Sequence, residues 1–267
     1  MKIFVINLDR SSARMEHMAA LLTEHKQEMA RVSAVDGRGL SEEERLSWIA
    51  AGEVSGKKPY PMVAGEVGCF LSHRKCWELV LRGDDSHAVV FEDDIVIGEC
   101  HELLSSADWI PGDADVVKLE TTRKRTVVGK EPSASVGARA VRRLYDNHNG
   151  TAGYVVSREG ARKLLDMSHE FAVPVDSFMF DPTCCSSTAL TIYQVDPAPC
   201  IQSRHLGGGF SEELRSTLRS ERLHRSPIGF SKLQRELARP FFQISSLIEI
   251  YFENIFRKRK VKIIPYK

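Results

Sequence analysis

The sequence predicts an α/β fold: a central mixed, mostly parallel sheet with helices on its faces, and a helical carboxy-terminal extension. Two local patterns and one bulk property point there. The first 36 residues read strand, helix, strand, the opening of a βαβ unit. Val89-Val90-Phe91 is a short apolar run of the kind that forms a buried strand, and it leads directly into Glu92-Asp93-Asp94. With 267 residues, 42% hydrophobic and 27% charged, the chain can bury one large core, or just about two, and its composition excludes wholesale disorder.

The elements follow in order. Lys2 to Leu8 is β-branched and apolar, a first strand. Ser11 or Ser12 can cap the helix after it, whose Met15, Met18, Ala19, Leu21 and Leu22 form an approximate stripe ending near His25. Arg31 to Val35 is a second strand closed by Asp36-Gly37. A short helix is expected from Ser41 to Ala51. Gly65 to Arg82 reads as a buried helix stopped by Gly83, with Glu66, Cys69, His73, Cys76 and Val80 on one face at three- and four-residue spacing. Strands are expected at 88–92, at Asp115 to Leu119, at Ala152 to Val156 before a Ser157-capped helix, and at Ala189 to Val195. Residues 121–150 are polar and basic and read as a long loop or weak hairpin.

A boundary is expected at Gly207-Gly208-Gly209, giving a body of residues 1–206 and an extension of 207–267. Over 200–267 there are 14 Lys/Arg against 6 Asp/Glu, leaving 23 against 30 before it: an acidic body and a basic tail. Phe241, Ile244, Ile248, Tyr251, Phe252 and Ile255 line one helical face, and the run then ends in Arg257-Lys258-Arg259-Lys260-Val261-Lys262. That pattern fits a basic amphipathic helix on an anionic membrane surface, or a docked helix with a frayed basic tail. No nucleic-acid partner is expected. The six cysteines form no C-x-x-C pair, so a zinc site is poorly supported and reduced, mostly buried thiols are expected. The apolar run Ile3 to Ile6 is too short for a signal peptide, and no stretch is long enough to span a bilayer.

Three adjacent acids repel one another, and a fold that brings them to the end of a buried strand commonly offsets the repulsion with a cation. Hard oxygen ligands point to Mn²⁺ or Mg²⁺ and a phosphorylated substrate; an ordinary acidic turn is the simpler alternative.

Four segments, taken together, resemble glycosyltransferase family 25. They are Phe4-Val5-Ile6-Asn7-Leu8-Asp9-Arg10 with Arg14, Gly65-Glu66-Val67-Gly68-Cys69-Phe70-Leu71-Ser72-His73, Phe91-Glu92-Asp93-Asp94, and Gly153-Tyr154-Val155-Val156-Ser157 with Gly160-Ala161. The resemblance covers roughly residues 2 to 205. It implies a GT-A-like nucleotide-sugar-binding sandwich, a UDP-hexose donor (most often UDP-galactose), a lipooligosaccharide or other glycan acceptor, and inverting transfer giving a β-linkage. It also implies a bacterial protein on the cytoplasmic side of the inner membrane, peripheral to it. The matching acids place Asp94 as direct metal ligand, with Glu92 beside it and Glu92 or Asp93 touching the donor. His205, late in the chain, is the candidate histidine ligand.

Inversion needs a base for the acceptor hydroxyl, and Asp176 is the candidate, with Asp181 and Glu120 as competitors and helix capping as its plainer role. Asn7, Arg10 and Arg14 follow the first strand, where an α/β sheet presents its ligand crevice; the arginines either grip a diphosphate or sit solvated in a first helical turn. Asp36 either accepts from uridine or shapes a turn. His73 either touches the donor site or orients its helix. Gly153 would let the backbone approach a ligand, and Tyr154 would stack on a sugar, or both belong to a plain strand. The basic loop Arg123 to Arg125 either grips an acceptor phosphate or is solvated. A nucleotidyltransferase or metal phosphohydrolase is the competing enzyme class. The former usually carries a glycine-rich phosphate loop after the first strand, which Asn7-Leu8-Asp9-Arg10 lacks. A non-catalytic glycan-binding protein at the membrane is the third reading.

Overall fold

A computed structural model describes residues 1–54, 56–206 and 258–267. Its centre is an eight-stranded mixed sheet in the order β2-β1-β3-β9-β5-β10-β8-β7. The strands are β1 (Lys2–Asn7), β2 (Ala30–Ser33), β3 (His87–Glu92), β5 (Val116–Lys118), β7 (Ala134–Val136), β8 (Arg139–Arg143), β9 (Gly153–Ser157) and β10 (Ile192–Asp196). Strands β2, β1 and β3 are parallel, β9 runs antiparallel between β3 and β5, and β10 is parallel to β5. The βαβ opening is present, with α1 (Ser12–Glu24) between β1 and β2.

The sheet separates two cores because side chains alternate along each strand. Phe4, Ile6, Val90, Tyr154 and Val156 pack on one side under α3 (Ala64–Arg82), α5 (Arg158–Met167) and α6 (Val175–Phe180). Ile3, Val5, Val89, Phe91 and Val155 pack on the other with Met18 and Leu22 of α1. Phe70 of α3 lies flat against Phe171, ring centroids 3.8 Å apart. Helix α3 approaches the β2 end closely, since a Cβ on Gly68 would lie 2.5 Å from the Gly37 nitrogen. Ser72 completes that contact by accepting from the Val35 N–H at 2.8 Å.

The terminal signals are mixed. Ser157 caps α5 by accepting from Gly160 N–H at 3.0 Å, as expected. Ser41 and Glu44 form a reciprocal capping box on α2 (Glu42–Trp48). Ser11 precedes α1 but its side chain caps nothing; the Asn7 amide donates to its carbonyl instead.

Residues 121–150 are more ordered than a loop. They hold β6 (Arg125–Gly129) and the β7–β8 hairpin, which closes the sheet edge on β10. Strand β6 pairs antiparallel with β12 (Arg259–Ile263), formed by the basic run expected as a helix end or tail. Ile264 is fully buried and its carbonyl accepts from Thr121 Oγ1 at 2.7 Å. The last ten residues therefore pack on the body. The predicted amphipathic helix of 241–256, the glycine joint and the rest of 207–257 lie outside the described residues. All six cysteines are free, four of them buried. Among the described residues no helix is long and apolar enough to cross a membrane.

Candidate active site

Strands β1 and β3 are parallel and end together, with Ile6 opposite Glu92. Their carboxyl edge opens into a pocket of about 110 Å³ between the start of α1 and the middle of α3. The pocket brings together Arg10, Arg14, Asp36, His73, Glu92, Asp93 and Asp94, all singled out in the sequence, with Cys69 and Ser72 in its wall.

Alternation at the end of β3 divides the acids. Glu92 faces the α3 side, where three side chains from distant segments hold it. His73 Nε2 lies 3.3 Å from Oε1, Thr151 Oγ1 donates to Oε1 at 2.8 Å, and Gln202 Nε2 donates to Oε2 at 3.2 Å. Burial opposes its ionisation, but the hydrogen bonds from His73 and Thr151 outweigh it and bring its pKa below the ordinary value. Asp93 faces α1. Asn7 Nδ2 donates to it at 2.7 Å and Arg14 Nη1 lies at 3.3 Å. Burial still holds the Asp93 pKa above normal.

Asp94 is 5% exposed, and burial, Glu92 and Asp93 push its pKa up to about 7. Its partner is the Gln202 amide, 3.2 and 3.4 Å from its two oxygens. Gln202 arrives on β11 (Cys200–Gln202), which pairs with β4 (Ile95–Ile97) so that Gln202 stands opposite Ile95. Its own Oε1 is buried without a partner. Asp94, which no cation among the described residues pairs directly, and the orphaned Gln202 oxygen are hard oxygen donors suited to a divalent cation, while Glu92 and Asp93 turn to opposite faces and Asp93 already pairs with Arg14. The other ligand-capable group is softer: Cys69, His73 and Glu92 offer atoms within 4.8 Å of one another. It fits less well. Burial and the surrounding carboxylates push the Cys69 thiol well above its normal pKa, and a protonated thiol is a poor ligand.

At the mouth, Arg10 and Asp36 form an ion pair, both partly exposed. Asp36 also shapes a turn, accepting from Arg38 N–H at 3.2 Å.

Several expected roles change. Asn7 is 2% exposed and does not line the pocket; its amide nitrogen serves Asp93 and Ser11, and its oxygen accepts from Arg31 at 3.0 Å. It positions Asp93. Tyr154 is fully buried, with its hydroxyl 2.9 Å from both Trp77 Nε1 and His73 Nδ1, so it offers no face to a sugar. Gly153 makes room for protein, not ligand, because a Cβ there would meet Cys200 Sγ and the Phe91 ring.

His205 follows Ser203, whose N–H donates to the Asp94 carbonyl at 2.9 Å. Its Nε2 accepts from Arg204 at 3.2 Å, and burial with Arg204, Lys124 and Arg123 lowers its pKa. Its ring thus lies among cations. Asp176 is half-buried in the first turn of α6, accepts from Ser177 N–H at 2.8 Å and does not line the pocket. Its competitors are committed elsewhere. Glu120 is fully buried against Lys118, and Asp181 accepts from Thr183 at 2.9 Å with Lys57 3.6 Å away. Sequence reasoning missed Gln202, for which no local signal exists, and Trp77, which the helical spacing of Glu66, Cys69, His73, Cys76 and Val80 does not single out.

The model of "Glycosyltransferase family 25 (LPS biosynthesis protein)" matches residues 1–179. The lacto-N-neotetraose biosynthesis glycosyltransferase LgtB of Neisseria gonorrhoeae is 33% identical over 77% of this chain and 75% of its own length. Procollagen galactosyltransferase 2 of Mus musculus is 33% identical over 67% of this chain but 29% of its own length. The solved inositol-1-phosphate CTP transferase from T. maritima overlaps with a TM-score of 0.42 at 13% identity, over 84% of this chain and 95% of that one, a likeness too distant to bear on chemistry. The family model covers the pocket, both strand ends and the helix that carries His73: the chain belongs to glycosyltransferase family 25.

Proposed function

We propose that the chain transfers galactose from UDP-galactose to a lipooligosaccharide glycan, with inversion to a β-linkage, on a GT-A-like sheet. The observation that carries this reading is the pocket at the carboxyl edge of β1 and β3, where arginines and four carboxylates share one cleft. A nucleoside diphosphate donor suits that mixture of charges. Family membership supports a nucleotide-sugar donor and a glycan acceptor. The name of the procollagen relative supports galactose, and that of the Neisseria relative supports an oligosaccharide acceptor.

Asp94, with Glu92 or Asp93 beside it, would hold Mn²⁺ or Mg²⁺, which supplies positive charge to the departing diphosphate. Asp93 is fixed by Asn7 and Arg14, and Glu92 by His73, Thr151 and Gln202, so both present oriented oxygens to the donor. Arg10, at the mouth, is placed to exchange Asp36 for a donor phosphate, leaving Asp36 to accept from the nucleoside. Asp176 takes the proton from the acceptor hydroxyl. The predicted amphipathic face of 241–256 would hold the enzyme on the cytoplasmic surface of the inner membrane. The neighbouring basic residues are partly committed: Lys262 pairs with Asp196, and Arg259 lies over the Tyr145 ring.

A thermal-shift screen of UDP-sugars with and without Mn²⁺ tests the reading, because a ligand of the folded state raises stability by mass action. The expected result is a rise with UDP-galactose plus metal. No shift with any nucleotide would overturn it.

A further inference from the structure

Tyr154 lies one strand over from Glu92 on the same face of the sheet, opposite Val90. With His73 and Trp77 it forms a fully buried chain: Trp77 Nε1 to Tyr154 Oη at 2.9 Å, Tyr154 Oη to His73 Nδ1 at 2.9 Å, and His73 Nε2 to Glu92 Oε1 at 3.3 Å. The direction of each bond follows from what each group can do. An indole N–H only donates, so Tyr154 accepts from Trp77. The tyrosine hydroxyl has one proton, and the partner within reach that can accept it is His73 Nδ1. Nδ1 then carries the lone pair, and the ring proton sits on Nε2, aimed at Glu92. The opposite tautomer would give Tyr154 two donors to accept from and leave its own buried proton without an acceptor.

We infer that Tyr154 is a positioning residue: through the Trp77–Tyr154–His73 chain it fixes His73 as the neutral Nε2–H tautomer and so aims a permanent hydrogen-bond donor at Glu92. The pattern resembles the buried partner that orients a histidine by holding its second nitrogen. Thr151 and Gln202 also hold Glu92, and Gln202 bonds Asp94 as well. His73 comes from the middle of α3, which Gly68 and Ser72 hold against Val35 and Gly37 just beyond β2. The importance of Tyr154 for transfer rests on the reading of Glu92 as part of the donor site; the tautomer itself does not.

Two measurements separate these parts. In the full-length protein labelled with ¹⁵N-histidine, the His73 signals, identified by their loss in His73→Gln, are expected to show a protonated Nε2 and an unprotonated Nδ1 between pH 7 and 8. Tyr154→Phe removes only the hydroxyl and is expected to shift those signals toward a mixture of tautomers. An Nδ1–H form in the wild type, or an unchanged pattern in Tyr154→Phe, overturns the inference whatever the enzyme transfers. With UDP-galactose as donor, Tyr154→Phe is expected to lower kcat about tenfold while donor KM stays within about twofold, since Thr151 and Gln202 still hold Glu92. A normal kcat alongside the expected tautomer shift would overturn the role in transfer.

Discussion

Two strand ends on either side of β9 bury acids in opposite ways. At the end of β3, Asp94 is nearly buried among Glu92 and Asp93 and is offered an amide, with Arg14 reaching Asp93. Beyond the end of β5, Glu120 is also buried, but Lys118 two residues earlier lies 3.3 Å from it, and both are fully inaccessible. Lys118 also donates to the Gly150 carbonyl and sits 4.3 Å from the centre of the Phe180 ring. The Ala152 N–H donates to Glu120 at 2.9 Å, which ties the segment carrying Thr151 to β5. Burial pushes both acids' pKa values up, Asp94 to about 7. One strand end supplies its own cation and is closed. The other opens on a pocket and leaves its charge for something that binds. Buried acid alone is thus a poor marker of a site; buried acid short of a counter-charge, beside a cavity, is a better one.

The largest expected effect lies on the open side. Asp94→Ala should cut sugar transfer by about 1,000-fold or more at any Mn²⁺ concentration, the size seen when a charge-stabilising group is lost; turnover near the wild type would end its role as ligand. On the closed side, Lys118→Met should lower the unfolding free energy by about 3–5 kcal/mol in urea, because Glu120 is left buried and alone. Lys118→Met with Glu120→Leu should recover much of that loss. If the single variant were as stable as the wild type, the contrast between the two strand ends would fail.

Asp176→Asn should lower kcat about 100-fold or more, the usual worth of a general base, with UDP binding by calorimetry unchanged. Turnover within a few-fold of normal would return the base assignment to another group. A smaller effect concerns pH. The folded pKa of Asp94 is raised, so its contribution to stability is complete below the unfolded value of 3.8 and is lost as pH rises through about 7. Glu92, whose pKa is lowered, contributes in the opposite sense, above its unfolded value of 4.5. Without divalent cations, melting of the wild type should therefore fall between pH 5 and 8 by a few degrees relative to Asp94→Asn, and Mn²⁺ at pH 8 should remove the difference. Parallel melting curves for the two proteins would contradict the raised pKa. The smallest effect belongs to the mouth: Arg10→Ala should raise the donor KM by roughly fivefold and change stability by less than about 1 kcal/mol, as for exposed ion pairs.

Much of this was legible because it is local. The opening βαβ unit, the run of α3 to Arg82, the Ser157 cap and the acids at a strand end all follow from residues within one element of each other. Six of the seven pocket residues singled out in the sequence sit at or just beyond the ends of those elements; His73 instead reaches the pocket from the middle of α3. What stayed open shares a cause. Asn7 is expected at the crevice, and Gly153 and Tyr154 suit either a ligand or a plain strand; whether a strand residue meets ligand or protein depends on what covers that face. Tyr154 points under α3, and Gly153 lies against Cys200, 47 positions away along the chain. The basic run 258–262 looked like a tail because its pairing partner, β6, lies more than a hundred residues earlier.

By itself the sequence determined the sheet-forming and helix-forming segments, the placing of three acids at the end of β3 and the family to which the chain belongs. Only the tertiary structure decided which acid keeps its charge. Alternation along a strand sends Glu92 and Asp93 to opposite faces whatever surrounds them. The groups that then meet them come from non-adjacent segments: His73 on α3, Thr151 before β9, Gln202 on β11, and Asn7 and Arg14 around the start of α1. Burial, hydrogen bonding and neighbouring charge act over a few ångströms of space, and no spacing along the chain encodes them.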